Sequence, residues 1–568
     1  MSLDPITFAV VRNALVGVAE QMAATILRTA YSTVIREMLD YSTAVFDPQG
    51  RILAQSCRIP IHLNSMSRSL RTALEQAIPL EQWHAGDVIL TNDPYLGGQH
   101  LPDLQTFLPV FADHELVAIV GTLGHHLDIG GMRPGSYAGD AVEIYQEGLR
   151  MPPIKLIEAG TPNHRLFALI EANIRQPEKT LGDLRAQVAA LEIGRGGVLE
   201  LVRHYGISTF KACAEDAITA SEGRMRARLG EIPAGTYRAE YFIDDDGVVD
   251  EPIRIVTTVT IGGGEIHVDF TGTGAQRRAP INATISTTES ATYYVILAIV
   301  DPTIPANYGV YKPIRITAPE GTVVNARPPA PVVGRNAVSH TIVNSLLLAL
   351  SQVVPDRVTA AYYGMSNVHI LAGDGSGSRS PWIFFDIEVG GWGARPNKDG
   401  HDCYSQGIHN LANTPIEMVE STYPLRYRSY ELIADSGGAG RFRGGLGVRR
   451  EIEFLDESGS VNTQFDKFKV APFGLFGGGP GATGRLCLNP DGPKARELHS
   501  KTVNQALRRG DVLSMWTQGG GGYGPPQERE RSAVVRDLRE GKVTTAALSR
   551  SYGIDPATLA AATGRDRT

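Results

Sequence analysis

Cysteine is scarce in this chain. Four residues in 568 (Cys57, Cys213, Cys403 and Cys487) stand far apart with no CxxC pair. That excludes a disulfide framework and a closed thiolate zinc site, and it fits a reducing compartment. Positive charge is not in excess either: 54 Lys and Arg against 61 Asp and Glu leave a formal net charge of −7. A surface built to coat phosphate backbones is excluded, so nucleic acid is not expected as a partner. The longest apolar stretch, around SLLLALSQVV, is too short and too polar to span a bilayer. The opening MSLDPITFAVVRNAL lacks the basic start and unbroken apolar centre of a secretory signal. A cytoplasmic chain with no membrane partner is the expectation. GxxxxGK[ST] does not occur, and no period of 20–50 residues repeats, so neither a P-loop nor a solenoid is expected.

What is present is ample apolar residue and abundant glycine. With 42% hydrophobic and 20% charged residues the chain is too long for one core. The pattern predicts a multidomain α+β protein with an N-terminal α/β metal-binding part and a β-rich, glycine-rich C-terminal part. The expected divisions are 1–230, a central β-meander with helices over 231–365, a glycine-rich β domain over 366–526, and a helical tail over 527–568.

Residues 5–30 predict an amphipathic helix. Asp4 is a good N-cap, Pro5 suits the first turn, and Val11, Leu15, Val18, Met22 and Ile26 make one stripe. STAVFDPQGRILAQ predicts a hairpin about Asp47–Gly50, and DVILTND, LQTFLPVF and LVAIVGTLG predict strands. Helices are expected over 165–230, 289–301 and 335–354, and a meander over 235–275. Two short helices in the tail resemble a helix-turn-helix without its basic stripe, so they are expected to dock rather than bind DNA.

The segments with chemistry in them lie at strand ends. NDPYLGGQHLPDLQ sets His100 and Asp103 three apart across Leu-Pro, and GHHLDIGG follows with His125, His126 and Asp128. Imidazole nitrogen with carboxylate oxygen suits Mn²⁺, Zn²⁺ or Fe²⁺, and a mixed set of this kind leaves positions open for solvent. A fourth ligand has to come from elsewhere, and REMLDYST offers Glu37 and Asp40. Glu37, Asp93, His126 and Asp128 are then expected to orient ligands through hydrogen bonds.

Other clusters carry weaker signals. The glycine-rich FGGGPGATG lacks strand–turn–helix context, so tight turns and close packing explain it better than a phosphate cradle. Arg441, Arg443 and Arg449 remain open as receivers of an anionic intermediate. Glu417 and Glu420 are expected to be structural, and Cys403 beside His401 lacks a third group to orient a nucleophile.

DYSTAVFD, NDPYLGGQHLPD, GHHLDIGG, DFTGTGAQ, NTPIEMVE, DSGGAGRFRGGLG and TQGGGGYGPP, in this order, resemble the hydantoinase B/oxoprolinase family. The resemblance implies a B-type subunit holding one divalent metal ion through Asp40, His100, Asp103 and His125, with Asp103 or His126 as general base. It also implies a partner, an A-type ATPase subunit that uses ATP to O-phosphorylate a cyclic amide or imide, in a hetero-oligomer such as (AB)2. The activity implied is ATP-dependent cyclic amide hydrolysis. The alternative is the alpha-type subunit of a ketone carboxylase, which shares the resemblance more distantly.

Overall fold

The computed structural model describes every residue except 1–3, 57, 376–379, 406 and 556–568. Cys57 therefore lies outside the described residues. The remaining cysteines, Cys213, Cys403 and Cys487, are free.

The first helix, α1 (Pro5–Thr29), begins where the sequence predicts: the Asp4 side chain accepts the Thr7 N–H at 2.9 Å. Its stripe of Val11, Leu15, Val18, Met22 and Ile26 is buried. By length and composition alone this helix is apolar enough to cross a membrane. Here its stripe instead packs on α2 (Pro177–Tyr205). A Cβ at Gly194 would lie 2.5 Å from Met22 Sδ and one at Gly197 2.7 Å from Val18 Cγ2. Glycine in the middle of a helix is unfavourable by about 1 kcal/mol, and here it is offset by the close approach it permits. The helical stretch expected over 165–230 contains His164–Asn173, α2 and α3 (Ile207–Gly230).

Beneath these helices lies a seven-stranded sheet of β1 (Tyr41–Phe46), β2 (Ile52–Gln55), β3 (Val88–Thr91), β4 (Asp103–Ala112), β5 (Glu115–His125), β6 (Ile154–Glu158) and β7 (Thr161–Pro162). The order is β2-β1-β5-β4-β3-β6-β7, antiparallel throughout. The N-terminal part is thus helices layered on an antiparallel sheet, the α+β arrangement rather than alternating βαβ units. In the β1–β2 hairpin the Asp47 carboxylate receives the N–H groups of Gln49 and Arg51, which closes the turn.

The expected meander is β8 (Gly235–Ile243), β9 (Ile253–Gly262) and β10 (Glu265–Asp269), antiparallel, with β11 (Ile314–Thr317) added in parallel to β10. Helices α4 (Ile285–Val300) and α5 (Asn336–Leu350) form the core beside it. They differ by a few residues at their ends from the stretches expected. The C-terminal part holds a four-stranded sheet that includes β12 (Asn367–Gly373) and β13 (Trp382–Glu388), and a five-stranded sheet.

The glycines between these sheets are there for packing. A Cβ at Gly391 would sit 1.9 Å from the Gly445 carbonyl oxygen, and one at Gly520 1.8 Å from that of Trp392. Backbone lies on backbone with no space for a methyl group. The tail helices α6 (Arg531–Arg539) and α7 (Thr545–Tyr552) fold back on this region. Arg529 clamps it, reaching Asp399 and Asp537 at 2.6 Å each.

Candidate metal centre

Three strand ends meet at one point of the first sheet. Tyr41 pairs with Gly124 across β1 and β5, which puts Asp40 beside His125; the His125 N–H donates to the Asp40 carbonyl at 3.0 Å. Across β5 and β4, Asp103 is the register partner of His125. Antiparallel pairing thus gathers residues about 60 and 20 positions apart at one edge. His100 joins them from the loop before β4, where Asp103 N–H donates to the His100 carbonyl. The glycines of that loop are constrained: Gly97 has φ +111°, and a Cβ there would lie 2.5 Å from the backbone nitrogen of Ser69.

One donor atom each from His100, Asp103 and His125 lies within 4.8 Å of the others, and all three residues are buried. His100 Nε2 is 2.9 Å and His125 Nδ1 3.3 Å from Asp103 Oδ1. Asp40 Oδ2 is 4.0 Å from His125 Nδ1. Despite the short distance, neither His100 nitrogen makes a hydrogen bond, and His125 Nε2 has no partner either. Buried polar atoms are nearly always paired, so the unpartnered His100 ring, whose Nε2 faces the Asp103 carboxylate at 2.9 Å, fits a divalent cation as its missing partner.

The electrostatics agree with that fit. Burial first, then the Arg335 guanidinium, hold His100 down to about 3. It is therefore a neutral imidazole, the form that ligates. Asp103 lies well below the usual carboxylate range because His100 and Arg335 outweigh its burial. Its Oδ2 receives Arg335 NH2 at 3.1 Å while Oδ1 faces the histidines. Burial pushes Asp40 up to about 6, against the pull of His125.

Several groups at this point carried no signal in the sequence. His62, on a single 3₁₀ turn, places Nε2 3.7 Å from Asp40 Oδ1 while its Nδ1 meets Ser42 Oγ at 2.9 Å. Arg335 precedes α5, and His409 comes from the loop before Ile416–Thr422. With Asp40, His100 and His125 they line a cavity of about 20 Å³, room for one ion or one water. No spacing links them to HLPD or GHH. The PIH of His62 is as short as any loop histidine, and nothing distinguished it.

Other expected residues are elsewhere. Glu37 pairs with its neighbour Arg36 at 3.1 Å, partly out in solvent. His126, expected as a general base or orienting group, turns to the opposite side of the sheet end, where Nε2 meets Gln187 Oε1 of α2 at 2.8 Å. Successive residues of a strand face opposite ways, so only one of the two adjacent histidines can join the cluster. Asp93 accepts from Tyr95 N–H and from Arg150, and Asp128 from the backbone of Gly130, Gly135 and Arg175. Both organise loops through these bonds and not through a ligand histidine. As a strong acid tied to a guanidinium, Asp103 is better suited to hold charge than to take a proton. Arg443 pairs with Asp402, and Arg449 with Glu431 and Glu451, so these arginines are committed. Glu420 accepts the Tyr427 N–H. Burial raises the Cys403 thiol to about 11, which removes it as a thiolate nucleophile.

The hydantoinase B/oxoprolinase family matches residues 4–526, and the chain belongs to it. Among curated relatives it is 36% identical to the B-type subunit of a putative D-/L-hydantoinase of Pseudomonas sp. strain NS671, covering 97% of this chain and 95% of the other. It is similar to the crystal structure of ATP-dependent caprolactamase from Pseudomonas jessenii, with a TM-score of 0.90 and 32% identity over 98% of each chain. A nucleotide-free acetone carboxylase structure gives a TM-score of 0.88 over 99% of this chain and 82% of the other, at 22% identity, a likeness of fold alone.

Proposed function

We propose that this chain is the B-type subunit of an ATP-dependent cyclic amide hydrolase, opening a lactam, hydantoin or related ring that an A-type ATPase subunit has O-phosphorylated. The observation that carries the reading is the convergence of buried His100, Asp103 and His125, with Asp40 beside them and the His100 ring left without a hydrogen-bond partner. Relatives named as subunits of a hydantoinase and a caprolactamase support the substrate class and the partner. The acetone carboxylase likeness is one of fold and does not favour carboxylation.

An amide resists water because nitrogen donates into the carbonyl. Phosphorylating the oxygen makes the carbon electrophilic. Water then forms a C–O bond to that carbon while the C=N electron pair moves to nitrogen, which takes the proton the water loses. The C–N bond breaks as the hydroxyl re-forms the carbonyl and its proton passes to nitrogen, giving an amine and an acyl phosphate, and a second water releases carboxylate and inorganic phosphate. His100, His125, Asp103 and Asp40 would hold one divalent cation, which supplies Lewis acidity and brings the pKa of a ligated water towards about 7. Asp103 shares its charge between that position and Arg335. Arg335 Nε is buried without a partner, a donor left for an anionic oxygen of the phosphorylated substrate.

The test is the His100→Ala chain assembled with its ATPase partner. ATP-dependent phosphorylation is expected to persist while ring opening falls at least about 10²-fold. Ring opening at the wild-type rate would sink the assignment.

A further inference from the structure

Strands β12 and β13 carry a second nitrogen–oxygen cluster, on the face turned away from the first centre. They pair antiparallel, with His369 opposite Asp386 and Asn367 opposite Glu388. Residues opposite one another share a face of the sheet, as do residues two apart on one strand. His369, Asp386 and Glu388 therefore lie side by side. Phe385, next to Asp386, faces the other way: its ring is 5.1 Å from that of His125, and it lines the first cavity. All three residues of the second cluster are buried, and one donor atom from each lies within 4.8 Å of the others. A cation held at about 2.1 Å by three such donors needs them about 3–4 Å apart, which a small closure of the side chains supplies.

The neighbours of these residues leave them incompletely partnered. Arg450 reaches over from Val448–Phe454 of the five-stranded sheet. Its Nη1 is 3.0 Å from Asp386 Oδ2 and 2.9 Å from Glu388 Oε1, and its Nη2 donates to Asn413 Oδ1 at 2.6 Å. Among the described residues, neither oxygen of Glu388 receives an aligned hydrogen bond, and neither ring nitrogen of His369 makes one. Two buried carboxylates thus face one guanidinium, a field that draws a further cation. A proton on Glu388 would also balance the charge, but it would not help His369. The shortest approach, Nδ1 to Glu388 Oε1, is 3.8 Å, too long for a hydrogen bond. A metal ion takes up an imidazole lone pair as well as the carboxylates. The first centre has the same parts: two carboxylates, a histidine ring without a partner, and a guanidinium, that of Arg335, on the far oxygen of one carboxylate.

We propose that His369, Asp386 and Glu388 hold a second divalent cation, of the Mn²⁺ or Zn²⁺ kind, buried between the four-stranded and five-stranded sheets. One imidazole with two carboxylates is a borderline-hard donor set that suits these ions over alkali cations. The role is structural. The ion ties β12 to β13, and through the shared carboxylates and Arg450 it ties the two sheets together.

The test is an ion count on the full-length chain, produced with excess Mn²⁺ or Zn²⁺ and gel-filtered into metal-free buffer. Elemental analysis should find two ions per wild-type chain and one in each of His369→Leu, Glu388→Gln and His100→Ala. His369→Leu keeps much of the side-chain volume, and Glu388→Gln leaves Arg450 its bond to Asp386. Two ions in either of these variants, or none in the wild type, would overturn the proposal. A wild type with a single ion separates the two centres. If His100→Ala loses that ion, the second site is refuted; if His369→Leu loses it, the second site stands and the first falls. Should neither variant fold, anomalous diffraction from wild-type crystals grown with Mn²⁺ decides. A peak between His369, Asp386 and Glu388 is expected, and its absence would overturn the proposal.

Discussion

His100→Ala separates a ligand histidine from a structural one without any substrate. In the metal-free chain the ring is buried with both nitrogens unpartnered, and each such atom costs about 1–3 kcal/mol. Removing it relieves that penalty. It also deletes the ring contact with His125, whose centroid is 4.9 Å away, and opens a cavity worth roughly 2–4 kcal/mol. The two effects oppose each other, so metal-free His100→Ala should lie between about 4 kcal/mol more stable and about 2 kcal/mol less stable than metal-free wild type. The difference appears when metal is added. At a free concentration 100 times Kd, one site binding only the folded state contributes about 2.7 kcal/mol. With an unfolding entropy of about 2.1 cal/mol/K per residue, that raises Tm by about 6 °C if a unit of roughly 230 residues melts independently. The rise is about 2 °C if the whole chain melts together. Scanning calorimetry after chelation, then with Mn²⁺ or Zn²⁺, reads both quantities. A wild type that does not respond, a variant that responds equally, or a metal-free variant losing much more than 3 kcal/mol would refute the reasoning.

Arg335→Met should cost the metal-free chain about 3–5 kcal/mol, because buried Asp103 loses the cation 3.1 Å from it. Adding divalent metal should then restore more stability than it adds to wild type, as denaturant titration with and without metal would show. His126→Ala should lower stability by about 1–3 kcal/mol through its lost bond to Gln187, with bound metal (measured by elemental analysis) and ring-opening kcat staying near wild type. Glu147 is buried, accepts the Val333 N–H, and is raised by burial from 4.5 to about 8. The folded form therefore holds a proton that the unfolded form has released between those values, so its contribution is complete below pH 4.5 and is lost as pH rises towards 8. In melting curves, Glu147→Gln should gain Tm over wild type progressively from pH 5 to 8 and level off above.

Much of the N-terminal part is legible residue by residue. Asp4, Pro5 and the Val11-to-Ile26 stripe determine α1 locally, and Asp47 with Gly50 determines the hairpin, because caps, turns and stripes use near neighbours. The donor types were legible too: HLPD and GHH name a nitrogen–oxygen site without thiolate. The choice between Glu37 and Asp40 was not. It depends on Tyr41 pairing with Gly124, and because all six residues of β1 are buried no alternation along the strand records that register.

The sequence by itself determined the helices, the turns, the family resemblance and the chemical class of the ligands, since each depends on residues a few positions apart. Only the tertiary structure decided which of two adjacent histidines faces the cluster. It alone brought His62, Arg335 and His409 to the same 20 Å³ cavity from a 3₁₀ turn, the start of a helix and a loop. Strand pairing and core packing act between residues that are far apart along the chain, and a linear pattern carries no record of which distant side chains will share one buried space.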